Sequence, residues 1–314
     1  MDHSSSFTVP KYKELNVSTE PKYTKAYRAS KSKLSNSCFL HRICWNIFFR
    51  YSYIMVNDCL CLVADDNPIN RAHIVYPLGD FSDQELKDIV RYWRQIFSKE
   101  HKPLRIEFID EHNLVRLCNC LKEEGIGWVQ ENCESCHDYT YRVSDYINLA
   151  GKENKGKRNL WNRYKNTHNS YRIEKIEKKN VEDCWNILQM WEHQKGLSSS
   201  DLMLTDHYPI LFFLKNIELL NNCSFLLYRN EVPVAFFVAS VNDEYCTFHF
   251  AKSNRVYPEA NFLLHFLFLT SEYAENIEFL NFEDDNSIFN IGKYKSRIAH
   301  TIKLKKYAVE LESE

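Results

Sequence analysis

The stretch "SFLLYRNEVPVAFFVASVNDEYCTFHF", residues 224–250, decides the architecture. It holds three runs rich in apolar and β-branched residues, at Ser224–Tyr228, Val232–Val241 and Tyr245–Phe250. "RNEVP" at Arg229–Pro233 has the character of a hairpin turn, so the runs read as meandering strands. Working outward, Tyr171–Ile176 reads as a strand, and Val181–Gln194 and His207–Leu220 as helices. Beyond the meander come an apolar helix at Glu259–Tyr273, a strand at Ile277–Phe282, a short helix at Phe289–Lys295 and a strand at Thr301–Ala308.

The first half repeats this order. Lys11–Ala29 and Asn36–Arg50 read as helices, and Tyr53–Asn57, Cys59–Val63 and Ala72–Pro77 as strands. A helix follows at Asp83–Ser98, announced by the capping box of Ser82 and Glu85. Then come a strand at Leu104–Ile109, a helix at Glu111–Glu124 and a strand at Tyr139–Val143. Two helices, three strands, helix, strand, helix, strand resembles the GCN5-related N-acetyltransferase order, and its recurrence indicates a duplication. The expected fold class is α/β (α+β layered): two tandem GCN5-related N-acetyltransferase-like domains, each a mixed, mostly antiparallel sheet flanked by helices. The expected division is a first domain at 1–150, with 1–10 disordered, a basic junction helix at 151–170, and a second domain at 171–314.

Composition narrows the function. With 44% hydrophobic and 26% charged residues and a net charge of -2, the chain has the balance of a globular protein and no global field for nucleic acid. Seven glycines in 314 residues argue against a glycine-rich phosphate loop. The start, Met1–Ser6, lacks the features of a signal peptide, and the apolar stretches are too short or too often interrupted to span a bilayer. A cytoplasmic protein without disulfides is expected.

Cys133-x-x-Cys136-His137 spells the pattern of covalent haem attachment. Cys59-x-Cys61, Cys118-x-Cys120 and Cys133/Cys136 could also gather around zinc. Against both, Cys59 and Cys61 sit in an apolar strand-like run, where cysteine behaves as a small hydrophobe. The Cys133 motif leads straight into the alternating run "DYTYRV". The expectation is therefore no metal and no resident cofactor.

The junction carries Lys152, Lys155, Lys157, Arg158, Arg163 and Lys165 against the single acid Glu153. On a helix, Arg158, Asn162 and Lys165 share a face. That face suits phosphates or the acceptor arm of an RNA, with Trp161 for stacking. It equally suits a solvated helix packed through Leu160, Trp161 and Tyr164. The segment "SDYINLAGKENKGKRNLWNRYKNTHNSYRIEKI", residues 144–176, closely resembles the junction of the phosphatidylglycerol lysyltransferase C-terminal family, with Lys157, Arg158 and Asn159 on that family's "KRN". "YPLGD" at Tyr76–Asp80, "DYTY" at Asp138–Tyr141, "HFAKSNRVYPEANFLLHF" and "NFEDDNSIFNIGKYKSRIAHTIKLKKY" match it in order. The resemblance implies the tandem fold. By analogy with characterised relatives, it implies movement of an aminoacyl group from a charged tRNA to a lipid or another amine.

Aminoacyl transfer needs an oriented acceptor, a proton acceptor and groups for the donor's charges. Glu283, Asp284 and Asp285 follow a strand, and Lys293, Lys295 and Arg297 come one helix later. The resemblance puts Glu283, Asp285, Lys293 and Lys295 on matching family positions. Acids before a helix and cations at its end are also what the helix dipole favours. His249 and His193 are candidate bases. The expected catalytic set is Asp285, Glu283 and His249. The expected substrate- or phosphate-binding set is Lys157, Arg158, Asn159, Lys252, Tyr257, Lys293 and Lys295. The chain departs from the family pattern at Ala251, Pro258, His265, Asn286-Ser287, Asn290-Ile291-Gly292 and His300. Loss of glycine and backbone donors there disfavours acetyl-CoA. The leading expectation is an acyltransferase fed by aminoacyl-tRNA, with a small-molecule, peptide or lipid acceptor. The alternatives are a non-catalytic ligand- or RNA-binding module and an acetyl-CoA-dependent N-acetyltransferase.

Overall fold

In the computed structural model the described residues are 12–312, except 57, 66, 68–71, 133, 153, 167–170 and 299. The expectation for residues 1–10, and that for Cys133, lie outside them.

In chain order the elements begin β1 (Lys13–Glu14), α1 (Glu20–Ser30), α2 (Phe39–Cys44), α3 (Asn46–Phe49), β2 (Ser52–Val56), β3 (Cys59–Ala64) and β4 (His73–Val75). They continue with α4 (Asp83–Lys99), β5 (Arg105–Ile109), α5 (Glu111–Glu123), β6 (Trp128–Asn132), β7 (Asp138–Arg142), α6 (Val143–Asn148) and α7 (Lys155–Asn166). The second half holds β8 (Tyr171–Lys175), α8 (Val181–Lys195), α9 (Ser199–Leu202), α10 (His207–Lys215), β9 (Phe225–Arg229), β10 (Val232–Asn242) and β11 (Tyr245–Ser253). Last come α11 (Ala260–Leu269), β12 (Phe279–Asn281), α12 (Phe289–Lys295), β13 (Ile302–Leu304) and β14 (Tyr307–Leu311).

Two units result, each built on one sheet. The first takes the chain up to Ser32, Asn46–Asn132, and the residues from Tyr307 onward; the second takes Lys33–Trp45 and Cys133–Lys306. The first sheet has strand order β1-β2-β3-β4-β5-β14-β6, the second β13-β7-β12-β11-β10-β9-β8. In each, one neighbouring pair is parallel, β4 with β5 and β11 with β12, and the others are antiparallel. This is the mixed, mostly antiparallel architecture that the element order implies.

The division along the chain differs from 1–150 and 171–314. Strand β7, expected to close the first sheet, lies in the second between β12 and β13. The run Thr301–Ala308, expected as one strand, breaks at Lys305–Lys306 into β13 of the second sheet and β14 of the first. The two units have thus exchanged their seventh strands. Alternation shows that a segment pairs, but not with which sheet, because either partner buries the same face.

Two helices also differ from expectation. The run Asn36–Arg50 is not one helix: α2 belongs to the second unit and α3 to the first. The first helix starts at Glu20, with Pro21 in its opening turn, rather than at Lys11. Helix α4 follows its sequence signals closely, with the Ser82/Glu85 box formed. Its buried residues Leu86, Ile89, Val90, Trp93 and Phe97 keep the helical period and fill the first core with Ile106, Leu117 and Val309. The second core gathers Phe225, Leu227, Phe237, Leu264, Phe268 and Leu280 around α11, a helix buried nearly all round.

Candidate active site

The site lies in the second unit, where its parallel pair parts. Strands β11 and β12 are matched only over Tyr245–Thr247 and Phe279–Asn281. Beyond that, β11 runs on to Ser253 against β10, while the chain leaving β12 turns away through Glu283, at φ +57. Side chains take over where main-chain pairing stops. His249 and Glu283 stand two residues past the last matched pair, and His249 Nδ1 donates to Glu283 Oε1 at 2.8 Å. A second imidazole meets the same oxygen: His41 Nδ1, from α2, at 2.9 Å.

The outer nitrogen of each ring is held as well. His249 Nε2 lies 2.9 Å from Ser240 Oγ, and His41 Nε2 lies 3.1 Å from Asn36 Nδ2. His249 has no exposed side-chain surface, while His41 and Glu283 keep 12% and 14%. The mouth is thus open on the side of His41 and Glu283. Burial by itself pushes the Glu283 carboxyl up. The positive charge that His41 can carry and the bonds from both rings outweigh it and hold the carboxyl well below the usual range. Burial lowers His249 below its ordinary value, and Glu283 only partly offsets it. Glu283 is therefore a fixed anion at neutral pH.

A buried clamp positions α2. Asp138, at the start of β7 and fully buried, accepts from Ser35 N at 2.7 Å, Ser35 Oγ at 2.8 Å and Asn281 Nδ2 at 3.0 Å. Lys306 Nζ completes it at 2.6 Å and reaches Asp284 Oδ2 at 3.2 Å. Burial works against the Lys306 charge, but the two carboxylates hold its pKa above the ordinary value. The turn before α2 is thereby tied to β7 and β12, and His41 is delivered to the mouth. Asn281 Oδ1 also accepts from Glu283 N at 2.8 Å, fixing the turn that carries the carboxylate.

Of the other expected residues, Asp285 is part of the loop itself. Its Oδ2 accepts from Tyr139 Oη at 2.5 Å and its Oδ1 from Ser287 N at 3.0 Å. Burial and that bond raise the Tyr139 pKa to about 12. Gly292 lies against this pair: a Cβ there would come within 2.6 Å of Asp285 Oδ2. Lys295 turns inward and donates to the carbonyls of Phe282 and Asp284, and burial lowers its pKa. Lys293 is exposed, 5.7 Å from the Phe289 ring.

Lys157 Nζ donates to the Ile298 carbonyl at 3.0 Å, and Arg158 to the carbonyls of Leu149 and Gly151. Asn159 is exposed. Trp161 stacks on Tyr164 at 5.0 Å and meets Phe266 at 4.4 Å, so α7 packs on the core through these rings. Lys252 pairs with Asp206 at 2.6 Å over the Trp191 ring, and Tyr257 stacks under Arg229 at 4.9 Å. Sequence reasoning missed His41, Asn36 and Ser240, and no spacing in the chain links them to Glu283.

The architecture is a tandem GCN5-related N-acetyltransferase-like fold, two mixed, mostly antiparallel sheets flanked by helices. The model of the phosphatidylglycerol lysyltransferase C-terminal family matches residues 27–290, and the chain belongs to that family. Comparison with curated proteins finds no match. Among solved structures, a conserved protein of unknown function from Bacteroides thetaiotaomicron is similar over 97% of this chain and 100% of its own, at 22% identity and TM-score 0.82. L-PGS from Bacillus licheniformis is similar over 92% and 91%, at 13% identity and TM-score 0.62. FemX is similar over 95% and 96%, at 9% identity and TM-score 0.63. At these identities the likeness is one of fold. Among the described residues, no helix is long and apolar enough to cross a membrane.

Proposed function

We propose that the chain is an aminoacyl transferase-like enzyme acting at the mouth between β11 and β12. The observation that carries this reading is Glu283, a carboxylate fixed as an anion by two imidazoles and still partly exposed. Both rings take Oε1, and no donor among the described residues bonds Oε2. Oε2 can therefore receive the ammonium of an aminoacyl group, a charge-assisted contact. His41, partly exposed beside it, is the candidate to take a proton from the acceptor, on Nε2 once Asn36 gives way. In the reaction, the acceptor's amine or hydroxyl attacks the ester carbonyl, and the bond to the donor's ribose oxygen breaks. That oxygen leaves with a proton. The donor is an activated ester such as aminoacyl-tRNA, and the acceptor a lipid or amine. The exposed cations Lys293 and Arg297 suit the donor's phosphates.

Coenzyme A is less well supported as donor. Helix α11 starts after Pro258, which has no N–H, and its N-cap is Glu259, bonded by Tyr171 Oη at 2.9 Å. A phosphate at that terminus would meet a carboxylate instead of free donors. The test is transfer of a labelled amino acid from charged tRNA to lipid and amine extracts. Glu283→Gln keeps the shape and removes the charge, so the specificity constant should fall about 10- to 100-fold, the worth of one charged hydrogen bond. Equal rates for wild type and variant would refute the role of Glu283.

A further inference from the structure

We propose that His41, His249 and Glu283 also form a divalent-metal site of the zinc type. The sequence alone led to the expectation of no metal, because only cysteine spacings were candidates there. In the structure, one ligand atom from each of these three residues lies within 4.8 Å of the others. Two imidazole nitrogens and one carboxylate oxygen are a zinc donor set with a coordination position left open. Tetrahedral zinc at ordinary bond lengths spaces its ligands by about 3.3 Å. The two nitrogens now stand at hydrogen-bond distances of 2.9 and 2.8 Å from Oε1, which loading must lengthen to that spacing.

The surroundings allow the proton changes that a metal demands. To offer Nδ1 to a metal, each neutral ring must carry its proton on Nε2 and donate it to a neighbour. Ser240 Oγ accepts as readily as it donates. Asn36 presents Nδ2 to His41, while its buried Oδ1 has no hydrogen-bond partner among the described residues. No bond therefore opposes turning this amide over, which sets its oxygen on His41 Nε2. From two neutral rings the Nδ1 protons then pass to the Nε2 atoms and none is released; from a charged His41 one proton is released. A lysine or a carboxylate in either outer position would have fixed one tautomer; an amide and a hydroxyl fix neither. The exposure of His41 and Glu283 supplies an entry path, and Glu283 supplies the compensating charge.

This site does not rest on the transferase reading, because binding is measured without transfer. Zinc and an ammonium would compete for the same carboxylate, so zinc should inhibit any transfer. The full chain, stripped with a chelator, is titrated with Zn²⁺ by calorimetry and with Co²⁺ by visible absorption. One equivalent should bind at micromolar or tighter Kd, with cobalt bands typical of nitrogen and oxygen ligands and no thiolate charge-transfer band. His41→Ala and Glu283→Gln should each weaken binding at least tenfold, with circular dichroism unchanged. His249→Ala should do the same, and if it does not fold, His41→Ala decides. No stoichiometric binding, a thiolate band, or undiminished affinity in both His41→Ala and Glu283→Gln overturns the proposal.

Discussion

Glu283 sits at φ +57, in the left-handed region that costs a residue with a Cβ roughly 1–2 kcal/mol. That cost is offset by the bonds from Asn281, His41 and His249 around it. Strain kept at a site with such partners is a usual mark of function. His265 is the opposite kind of buried titratable group. It lies among Phe237, Phe248 and Phe282, its Nε2 has no partner among the described residues, and burial lowers its pKa to about 3. The unfolded ring titrates near 6.5, so its contribution to stability is intact above that pH. As pH falls from about 6.5 toward 3, the unfolded chain binds a proton that the folded one refuses, and stability drops by about 1.4 kcal/mol per unit. Urea unfolding of wild type and His265→Leu across this range should give diverging curves, the variant flatter. Parallel curves would remove His265 from the account.

At the scale of elements, the clamp on α2 is what makes the site. Asp138 and Lys306 are both buried, and each is the other's principal charge partner. Asp138→Asn should cost about 3–5 kcal/mol, because it leaves the ammonium with weaker compensation in the interior. The double change Asp138→Asn with Lys306→Met should recover part of that, since no lone charge remains. Chemical denaturation measures both; a single variant as stable as wild type would mean that the pair holds nothing. Elements are also where the sequence was most readable. The β9–β11 meander, α4 with its box, and α12 over Phe289–Lys295 follow from period, caps and turn residues. The carboxylate at the end of β12 and the histidine on β11 were legible as residue types. His41 was not, because its run reads as one apolar helix and no local signal shows the break at Trp45. Lys295 is the converse case: its charge suggested phosphate, but the fold turns it onto carbonyls. Sequence gives a residue's chemistry and not the direction in which its side chain leaves the backbone.

For the whole molecule, the exchange of strands matters most. Strand β14 lies between β5 and β6, so the last strand among the described residues is an inner strand of the first sheet. Deleting residues 307–314 should therefore strip hydrogen-exchange protection from β5 and β6, far away in sequence. Protection in β9, β10 and β11 should stay, as these strands pair only within the second sheet. Unchanged protection of β5 would contradict the pairing. A fragment ending near residue 150 lacks β14 as well, and it should fail to give a cooperative melt.

The same exchange bears on how the chain is made. A nascent protein leaves the ribosome from its N-terminus at about 5–20 residues per second, and early domains commonly finish folding while later ones are still being synthesised. Here β5 and β6 emerge long before β14, which must follow them between the two. For roughly ten to forty seconds at that pace, the two strand edges that β14 will cover have no partner. Such edges invite pairing with other chains. Completion of the first unit is thus deferred until β14 has been made, and a chaperone that shields strand edges would act in that interval.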